Sequence, residues 1–529
     1  MRVYRSIFND VLGPIMNGPS SSHSAGCCRI GLATRSLFGK DITHAEIVFE
    51  KAGSYPGTYI GQGSNFGFVG GLLGLSPDDE HLRDSIELAK ESGYKFSFSE
   101  EDLGFLHPNQ AEIRVYDEDN NLSMSVMTFS TGGGMFKISR LDEFDVEIDG
   151  TQYQYFICGD RSFEDDIQNA VESSGFSAIK STKSTGRVLF SIYSENDIVN
   201  ELKQSIDKAQ GVHYLRCVKP VVSVIKKEAS NPIFFDAKEA LTYAEDHKKT
   251  LWEIGYDYEE SYGNASPQRI DTLLDRVRLA MEKSIVPPDP KITRKYGFLP
   301  YKAEQMAKVL PLTKKYDCGI LNTAMIAAMA VLENSCAHNI VVAAPTAGSS
   351  GVIPAAVIAG GRMLGSTGKE INEALMVAGV IGLFIAHQAT FGGEVGACQA
   401  EIGSASAMAA ASVAHLLGGT IKQCYAAASI ALQNMLGLIC DPVAGLTEVP
   451  CISRNVSGAA NAVLSANMVM LGFDSTIPLD EAICTMMQVG SALPDEYRCT
   501  CKGGLCVTST GKQYESAMKT KWTNEGNNW

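Results

Sequence analysis

The chain has 529 residues, 45 % of them apolar and 20 % charged, with a formal charge of −15. That composition supplies ordinary cores for roughly three or four domains and excludes global disorder. The acidic balance repels phosphate backbones and anionic lipid, which argues against nucleic acid and membranes as partners.

The N-terminal stretch MRVYRSIFNDVLGPIMNG lacks a continuous apolar run before a small-residue cleavage site. No signal peptide is read there, and a cytoplasmic location is expected. Residues 1–145 mix strand-like runs (AEIVFEKAG, AEIRVYDED, SVMTFSTGGG) with a helical stretch at 79–92 and Gly-rich turns, so a mixed α/β domain is expected.

Residues 149–225 alternate in a different rhythm. Strand YQYFICG, helix SFEDDIQNAVESSG, strands FSAIKSTKS and GRVLFSIYS, helix ENDIVNELKQSIDKAQG and strand VHYLRCVKPVVSVI give β-α-β-β-α-β, the ferredoxin-like order. Ile198, Leu202 and Ile206 recur at i, i+4 and i+8, one face of a helix. The polar stretch KKEASNP then reads as a linker, and the proline-rich SIVPPDPKITRKYG as a break inside the next segment.

Residues 233–529 read as mainly helical. Between residues 318 and 471 the chain is rich in Ala, Gly, Leu and Met with few charges, the pattern of helices buried on all sides. The most apolar run, 374–386, is too short to span a bilayer and contains Gly379 and Gly382, so a buried helix is expected. The polar residues left inside this region are therefore the informative ones. His387 at the end of that run reads as a satisfied core group.

Fourteen cysteines without a secretory signal argue for reduced thiols rather than a disulfide framework. Three lie in the buried region: Cys398 in GGEVGACQAEIGSASAMAAA, and Cys440 and Cys451 in GLICDPVAGLTEVPC. None forms a tight C-x-x-C pair, so a zinc knuckle is not expected. Buried structural cysteine is the plain alternative. Against it, Cys440 precedes Asp441-Pro442 and Cys451 follows Pro450, which puts both at turns. Two loops could receive a carboxylate or alkoxide. Ser20, Ser21, Ser22, His23 and Ser24 sit between Gly18-Pro19 and Gly26, and Thr346, Gly348, Ser349 and Ser350 open a helix after NIVVAAP. The second loop lacks the lysine of a phosphate loop. Arg454 and Asn455 follow Cys451 and could bind a carboxylate or simply start a helix.

The segments CQAEIGSASAMAAA, CDPVAGLTEVPC and APTAGSSGVIPA resemble the α domain of the iron–sulfur L-serine dehydratases. GPSSSHSAG, HPN (His107 to Asn109) and STGGG resemble that family's β domain, and the motifs stand in the family's order over most of the chain. The resemblance implies a β domain at 1–145, an ACT-like ferredoxin-fold domain at 149–225 and a helical α domain at 233–529. It implies that Cys398, Cys440 and Cys451 ligate a 4Fe–4S cluster with one iron left open as a Lewis acid, without pyridoxal phosphate. It also implies L-serine as substrate, pyruvate and ammonia as products, and a homodimer. The Ser20–Ser24 loop, with His23 assisting, would supply the base. His107, Asn109, Thr346, Gly348, Ser349, Ser350, Arg454 and Asn455 would bind substrate. Some family members end in a cysteine that caps the open iron. This chain does not, although Cys499, Cys501 and Cys506 in RCTCKGGLC offer a substitute. The first βα loop of the middle segment, CGDRSFEDD, lacks the Pro-Gly of the ACT pattern, so a structural or dimerising role is preferred there. The rivals are a sister lyase for L-threonine or L-cysteine and, in another class, an iron–sulfur electron carrier.

Overall fold

The computed structural model describes residues 2–173, 175–182, 186–207, 209–227, 231–291 and 297–524. Parts of the two linker stretches read from the sequence, 228–230 and 292–296, lie outside the described residues.

The strands are numbered in chain order: β1 Ile15–Asn17, β2 His44–Glu50, β3 Lys95–Glu101, β4 Gln110–Tyr116, β5 Leu122–Gly132, β6 Met135–Leu141, β7 Phe144–Ile148, β8 Tyr153–Asp160, β9 Ile179–Thr182, β10 Arg187–Ser194, β11 Val212–Val218 and β12 Ile340–Val342. The N-terminal α/β part is one six-stranded sheet in the order β3-β2-β4-β5-β6-β7. Only β2 and β3 pair in parallel, across the Tyr55–Thr58, Ser64–Leu73 and Ser85–Glu91 helices. Helices Gly26–Phe38 and Ser64–Leu73 pack on each other closely enough that a Cβ on Gly71 would lie 2.0 Å from the Cys28 carbonyl oxygen. Strands β3, β6 and β7 go beyond the runs read from sequence.

In the middle segment the order is β11-β8-β10-β9, every neighbouring pair antiparallel, with helices Glu164–Glu172 and Val199–Ile206 between the strands. The alternation read from sequence holds, and Ile198, Leu202 and Ile206 are buried in its core. The last strand stops earlier than expected, at Val218. Pro220 has no N–H to donate to a ladder, and residues 219–223 leave the sheet.

The C-terminal part is helical. Gly368–Gln388 runs through its core beside Leu251–Tyr262, Ser404–Leu416 and the N-terminal turn Ile7–Val11. It is the one described helix long and apolar enough to cross a membrane, and it is packed inside the protein instead. Its glycines have a packing reason: a Cβ on Gly379 would lie 2.4 Å from Ile7 Cγ2, and one on Gly382 2.1 Å from Val11 Cγ1. The N-terminal segment is thus seated in the helical part, not in its own sheet. His387 donates through Nδ1 to the Phe235 carbonyl at 2.7 Å and accepts at Nε2 from the Arg5 N–H at 3.2 Å, the satisfied core group read from sequence.

One small pairing positions the site. β1 pairs antiparallel with β12, Ile15 opposite Val342 and Asn17 opposite Ile340. The strand leading into the Ser-rich loop and the strand leading into the Thr346 loop are therefore neighbours; they run antiparallel, so the loops leave from opposite ends of the ladder and meet where the Ala347 N–H donates to Ser21 Oγ at 3.4 Å.

Candidate metal centre and its cavity

The Ser-rich loop forms a widened helical turn, Ser21–Ala25, in which the Gly26 N–H reaches back to the Ser21 carbonyl, and Gln399–Gly403 just after Cys398 is another wide turn. Such turns are rare and recur at functional sites because they re-aim side chains. Ser20 caps the first turn by accepting from the His23 N–H. Opposite it, the STGGG motif closes the β5–β6 hairpin after a register shift, with Gly132, Gly133 and Gly134 all at positive φ (95°, 59° and 80°). Only glycine takes that run without strain.

These loops enclose a cavity of about 40 Å³. Ser20, Ser21, Ser22, Thr346 and Gly348 line one side; Cys440, Cys451 and Cys499 line the other, with Glu394 and Glu401 between. The ligand atoms of Cys398, Glu401 and Cys440 lie within 4.8 Å of one another. The Cys440 thiol is hydrogen-bonded to the thiols of both Cys398 and Cys499. The thiols of Cys398, Cys440 and Cys499 therefore converge from three separate backbone turns, with Cys451 lining the same cavity and none of the four in a disulfide. Cys499 is brought in by a short crossing of chains, in which the Cys440 N–H donates to the Tyr497 carbonyl at 2.8 Å and the Cys499 N–H to the Cys440 carbonyl at 3.0 Å. Soft sulfur donors in this number suit zinc, copper(I) or an iron–sulfur centre and disfavour magnesium or calcium.

The turns that carry the thiols are strained. Ala397, just before Cys398, sits at φ 60°, ψ −170°, a region nearly reserved for glycine. Ala444, between Cys440 and Cys451, and Cys499 itself are left-handed, at φ 57° and 58°. Each such residue costs on the order of 1–3 kcal/mol, so packing must hold it. Part of that hold is Arg454. Its guanidinium pairs with the buried Asp441 carboxylate at 2.8 Å, donates to the Ile439 carbonyl at 2.9 Å and reaches Cys398 Sγ at 3.6 Å. The hydrogen bond from Cys440 and the Arg454 charge hold the Cys398 thiol below its usual pKa, while Cys440 is pushed up in return. Burial pushes Cys451 up as well.

The hydroxyl side is a closed relay. The Thr58 hydroxyl donates to the Ser54 carbonyl at 2.6 Å and lies 2.9 Å from His23 Nε2, so that ring nitrogen carries the proton. His23 Nδ1 is then an acceptor, 2.9 Å from Ser22 Oγ, and shares the single Ser22 proton with the Glu394 carboxylate. Burial lowers the His23 pKa to about 4, with Glu394 opposing, so the ring is neutral at physiological pH. The Glu394 carboxylate accepts from Ser22 Oγ at 3.1 Å and from Asn109 Nδ2 at 3.0 Å. Burial raises the pKa of Glu394, but His23, Asn109 and Ser22 outweigh it and hold the carboxyl low. Glu401 goes the other way, raised by burial and by Cys398 and Glu394, and accepts from Thr346 Oγ1 at 2.8 Å. Two carboxyls with opposed shifts in one cavity are the arrangement from which acid and base roles are drawn. Neither was among the site residues read from sequence.

Several of the residues read as substrate contacts or catalytic groups are hydrogen-bonded into the loops around the cavity. Ser24 Oγ donates to the carbonyl of Gln62, a residue that lines the cavity, at 3.0 Å. His107 accepts the Asn109 N–H at Nδ1, 3.0 Å, and orients that residue. Ser349 bonds Thr346 Oγ1 at 3.0 Å, and Ser350 donates to the Ala347 carbonyl at 2.7 Å. Asn455 donates to the Gly348 and Cys451 carbonyls at 2.7 and 2.9 Å, tying the Thr346 loop to the Cys451 helix. Arg454 is paired with Asp441 and reaches Cys398 Sγ.

These features define a multidomain protein whose α/β and helical parts jointly wall a thiol-rich cavity with a group of side chains able to hold a metal. The sequence profile described as serine dehydratase alpha chain matches residues 245–506. A probable L-serine dehydratase alpha chain from Bacillus subtilis (strain 168) is 35 % identical over 286 residues, 54 % of this chain and 95 % of that one. The L-serine dehydratase alpha chain of Peptoniphilus asaccharolyticus is 37 % identical over 246 residues, 46 % of this chain and 83 % of its own. An L-serine dehydratase of Helicobacter pylori (strain ATCC 700392 / 26695) is 30 % identical over 337 residues, 61 % of this chain and 72 % of that one. The chain belongs to the serine dehydratase family.

Proposed function

We propose that the protein is an L-serine ammonia-lyase that converts L-serine to pyruvate and ammonia in the cavity between the Ser20–Ser22 turn and the cysteines. One observation carries the reading: thiols from the helical part face hydroxyls from the α/β part across one small cavity. The donor set fits a 4Fe–4S cluster held by Cys398, Cys440 and Cys451. Such a cluster, with one iron free of these three thiolates, would supply a Lewis acid for the departing hydroxyl. No pyridoxal phosphate is needed.

The chain's own residues do the rest. Ser20 and Ser21, with the Thr346 hydroxyl and the loop at Gly348, form the polar wall that receives the substrate carboxylate. Ser22, bonded to neutral His23, takes up the α-proton through the relay, and Glu394 stabilises the charge that then develops on the imidazole. Glu401, kept protonated beside the thiols, stands where the departing hydroxyl needs a proton. Loss of water leaves an enamine, which becomes an imine and is hydrolysed to pyruvate and ammonia in solution. The middle unit is read as an ACT-like module with a structural or dimerising role in a cytoplasmic homodimer. The acidic surface supports neither nucleic acid nor membrane as partner.

The test is anaerobic reconstitution with iron and sulfide counts, followed by assays with L-serine, L-threonine and L-cysteine. About four irons and four sulfides per chain, with pyruvate from L-serine as the fastest reaction, support the reading. A preference for 2-oxobutyrate or sulfide release moves the enzyme to a sister lyase. Cys499 favours a second outcome, because it gives the centre a fourth thiol. A fully ligated cluster whose spectrum ignores L-serine would make the protein an electron carrier. A spectrum that changes with L-serine makes Cys499 a displaceable cap.

A further inference from the structure

A second cavity, about 810 Å³, lies where the α/β sheet, the segment after β11 and the Pro267–Ser284 helix meet. Its floor is apolar, built from Phe8, Leu12, Leu32, Leu273 and Val277. Its rim is cationic: Arg29, Arg35, Lys40, Lys219, Arg269 and Arg276 line it against two carboxylates, Asp41 and Asp78. In a chain of net charge −15 this is a local reversal of sign. Both carboxylates are committed, Asp41 to Arg35 and Asp78 to Arg276 at 3.3 Å. An ammonium group would find no free partner there.

Arg29 is the informative side chain. It is only 3 % exposed, and its Nη1 donates to the Gly134 carbonyl at 2.9 Å. Its Nε is buried with no hydrogen-bond partner among the described residues. An orphaned guanidinium donor is costly, and a bound acceptor would satisfy it. We propose that this cavity is a second ligand site, for a small organic anion with an apolar body: the guanidinium of Arg29, with Lys40 and Lys219 at the rim, takes a carboxylate or phosphate head, and the Phe8–Leu12 and Leu273–Val277 floor takes the tail. The site abuts the catalytic cavity. Gly134, held by Arg29, adjoins Gly132 and Gly133, which line the catalytic cavity.

The test is isothermal titration of the full chain with hexanoate, hexyl phosphate, inorganic phosphate and hexylammonium. Arg29→Met would also release Gly134, so the exposed pair Lys40→Glu with Lys219→Glu carries the comparison. The expected result is binding of hexanoate or hexyl phosphate at one site per chain, with the tighter of the two naming the head group. Inorganic phosphate should bind more weakly and hexylammonium not at all. The double variant should weaken binding about tenfold or more, and added salt should weaken it further. Equal binding of hexylammonium, no binding of either hexyl anion, or affinity unchanged in the double variant overturns the proposal. Inorganic phosphate binding as tightly as hexyl phosphate overturns the apolar part of it.

Discussion

The two walls of the catalytic cavity are built on opposite principles. The hydroxyl wall is a hydrogen-bonded network: Thr58, His23, Ser22, Glu394 and Asn109 are linked in a chain in which both His23 ring nitrogens have a partner, and Asn109 Oδ1 is the acceptor left over. The thiol wall is strained and under-satisfied, with Ala397 and Cys499 in costly backbone conformations and thiols that have mainly each other as partners. A closed polar network defines one geometry and can stand alone. A cluster of buried thiols gains its full set of bonds only from a metal, so that wall is expected to depend on its cofactor for order.

The largest expected effect breaks the thiol wall. Cys398→Ala, Cys440→Ala or Cys451→Ala should remove bound iron and sulfide together with pyruvate formation. Metal analysis of anaerobically purified variants checks it. A variant with full iron content and full turnover would remove that cysteine from the centre.

On the hydroxyl wall the metal should survive and the rate should not. Ser22→Ala or His23→Asn is expected to lower kcat by about 10²- to 10⁴-fold, the usual range for loss of a proton-transfer group. Iron content should be unchanged. If Ser22→Ala instead loses iron in step with activity, the two walls are not separable as described.

The same contrast explains what could be read from the sequence. Cys398, Cys440, Cys451 and Ser20 to Ser22 could be singled out because each sits in a compact motif whose turn residues are adjacent in the chain. Glu394 and Glu401 were not picked out, although they flank Cys398 in an almost charge-free region, and two carboxyls kept inside apolar helices were the available signal. Cys499 could be raised only as one of three alternatives, because its selection depends on the chain returning to pair Cys440 with Arg498. The contacts that Arg454, Asn455 and His107 make were not legible for a related reason. Proximity to a motif shows that a side chain serves the site, but whether it faces the cavity or the loop behind it is decided by tertiary packing.

A further buried carboxyl, outside the lining of the cavity, is Glu259 on the Leu251–Tyr262 helix. Its carboxyl accepts from the Ile7 N–H and the Ser6 hydroxyl and so ties the N-terminal segment to the helical part. Burial raises its pKa to about 8. Below about pH 4.5 folded and unfolded chains both hold the proton. As pH rises towards 8 the unfolded chain gives it up while the fold retains it, so this group makes the protein less stable with increasing pH, by up to the order of 5 kcal/mol. Glu259→Gln should flatten the fall in Tm between pH 5 and 8. An unchanged pH profile would mean that Glu259 is ionised in the fold.

The smallest effect tests whether neighbouring serines really divide their labour. Ser24 lies two positions from Ser22 in the same turn, but its hydroxyl is spent on the Gln62 carbonyl at 3.0 Å and reaches the Gly18 carbonyl at 3.3 Å. Ser24→Ala leaves those carbonyls short of a donor in a buried position, a loss of about 1–2 kcal/mol. Its cost should appear in Tm and in urea midpoint, with kcat within about twofold of the parent enzyme once the protein is folded. Ser22→Ala should show the reverse, a collapsed kcat on a nearly unchanged Tm. A Ser24→Ala enzyme as slow as Ser22→Ala would place the whole loop, rather than the single Ser22–His23 contact, in the proton path.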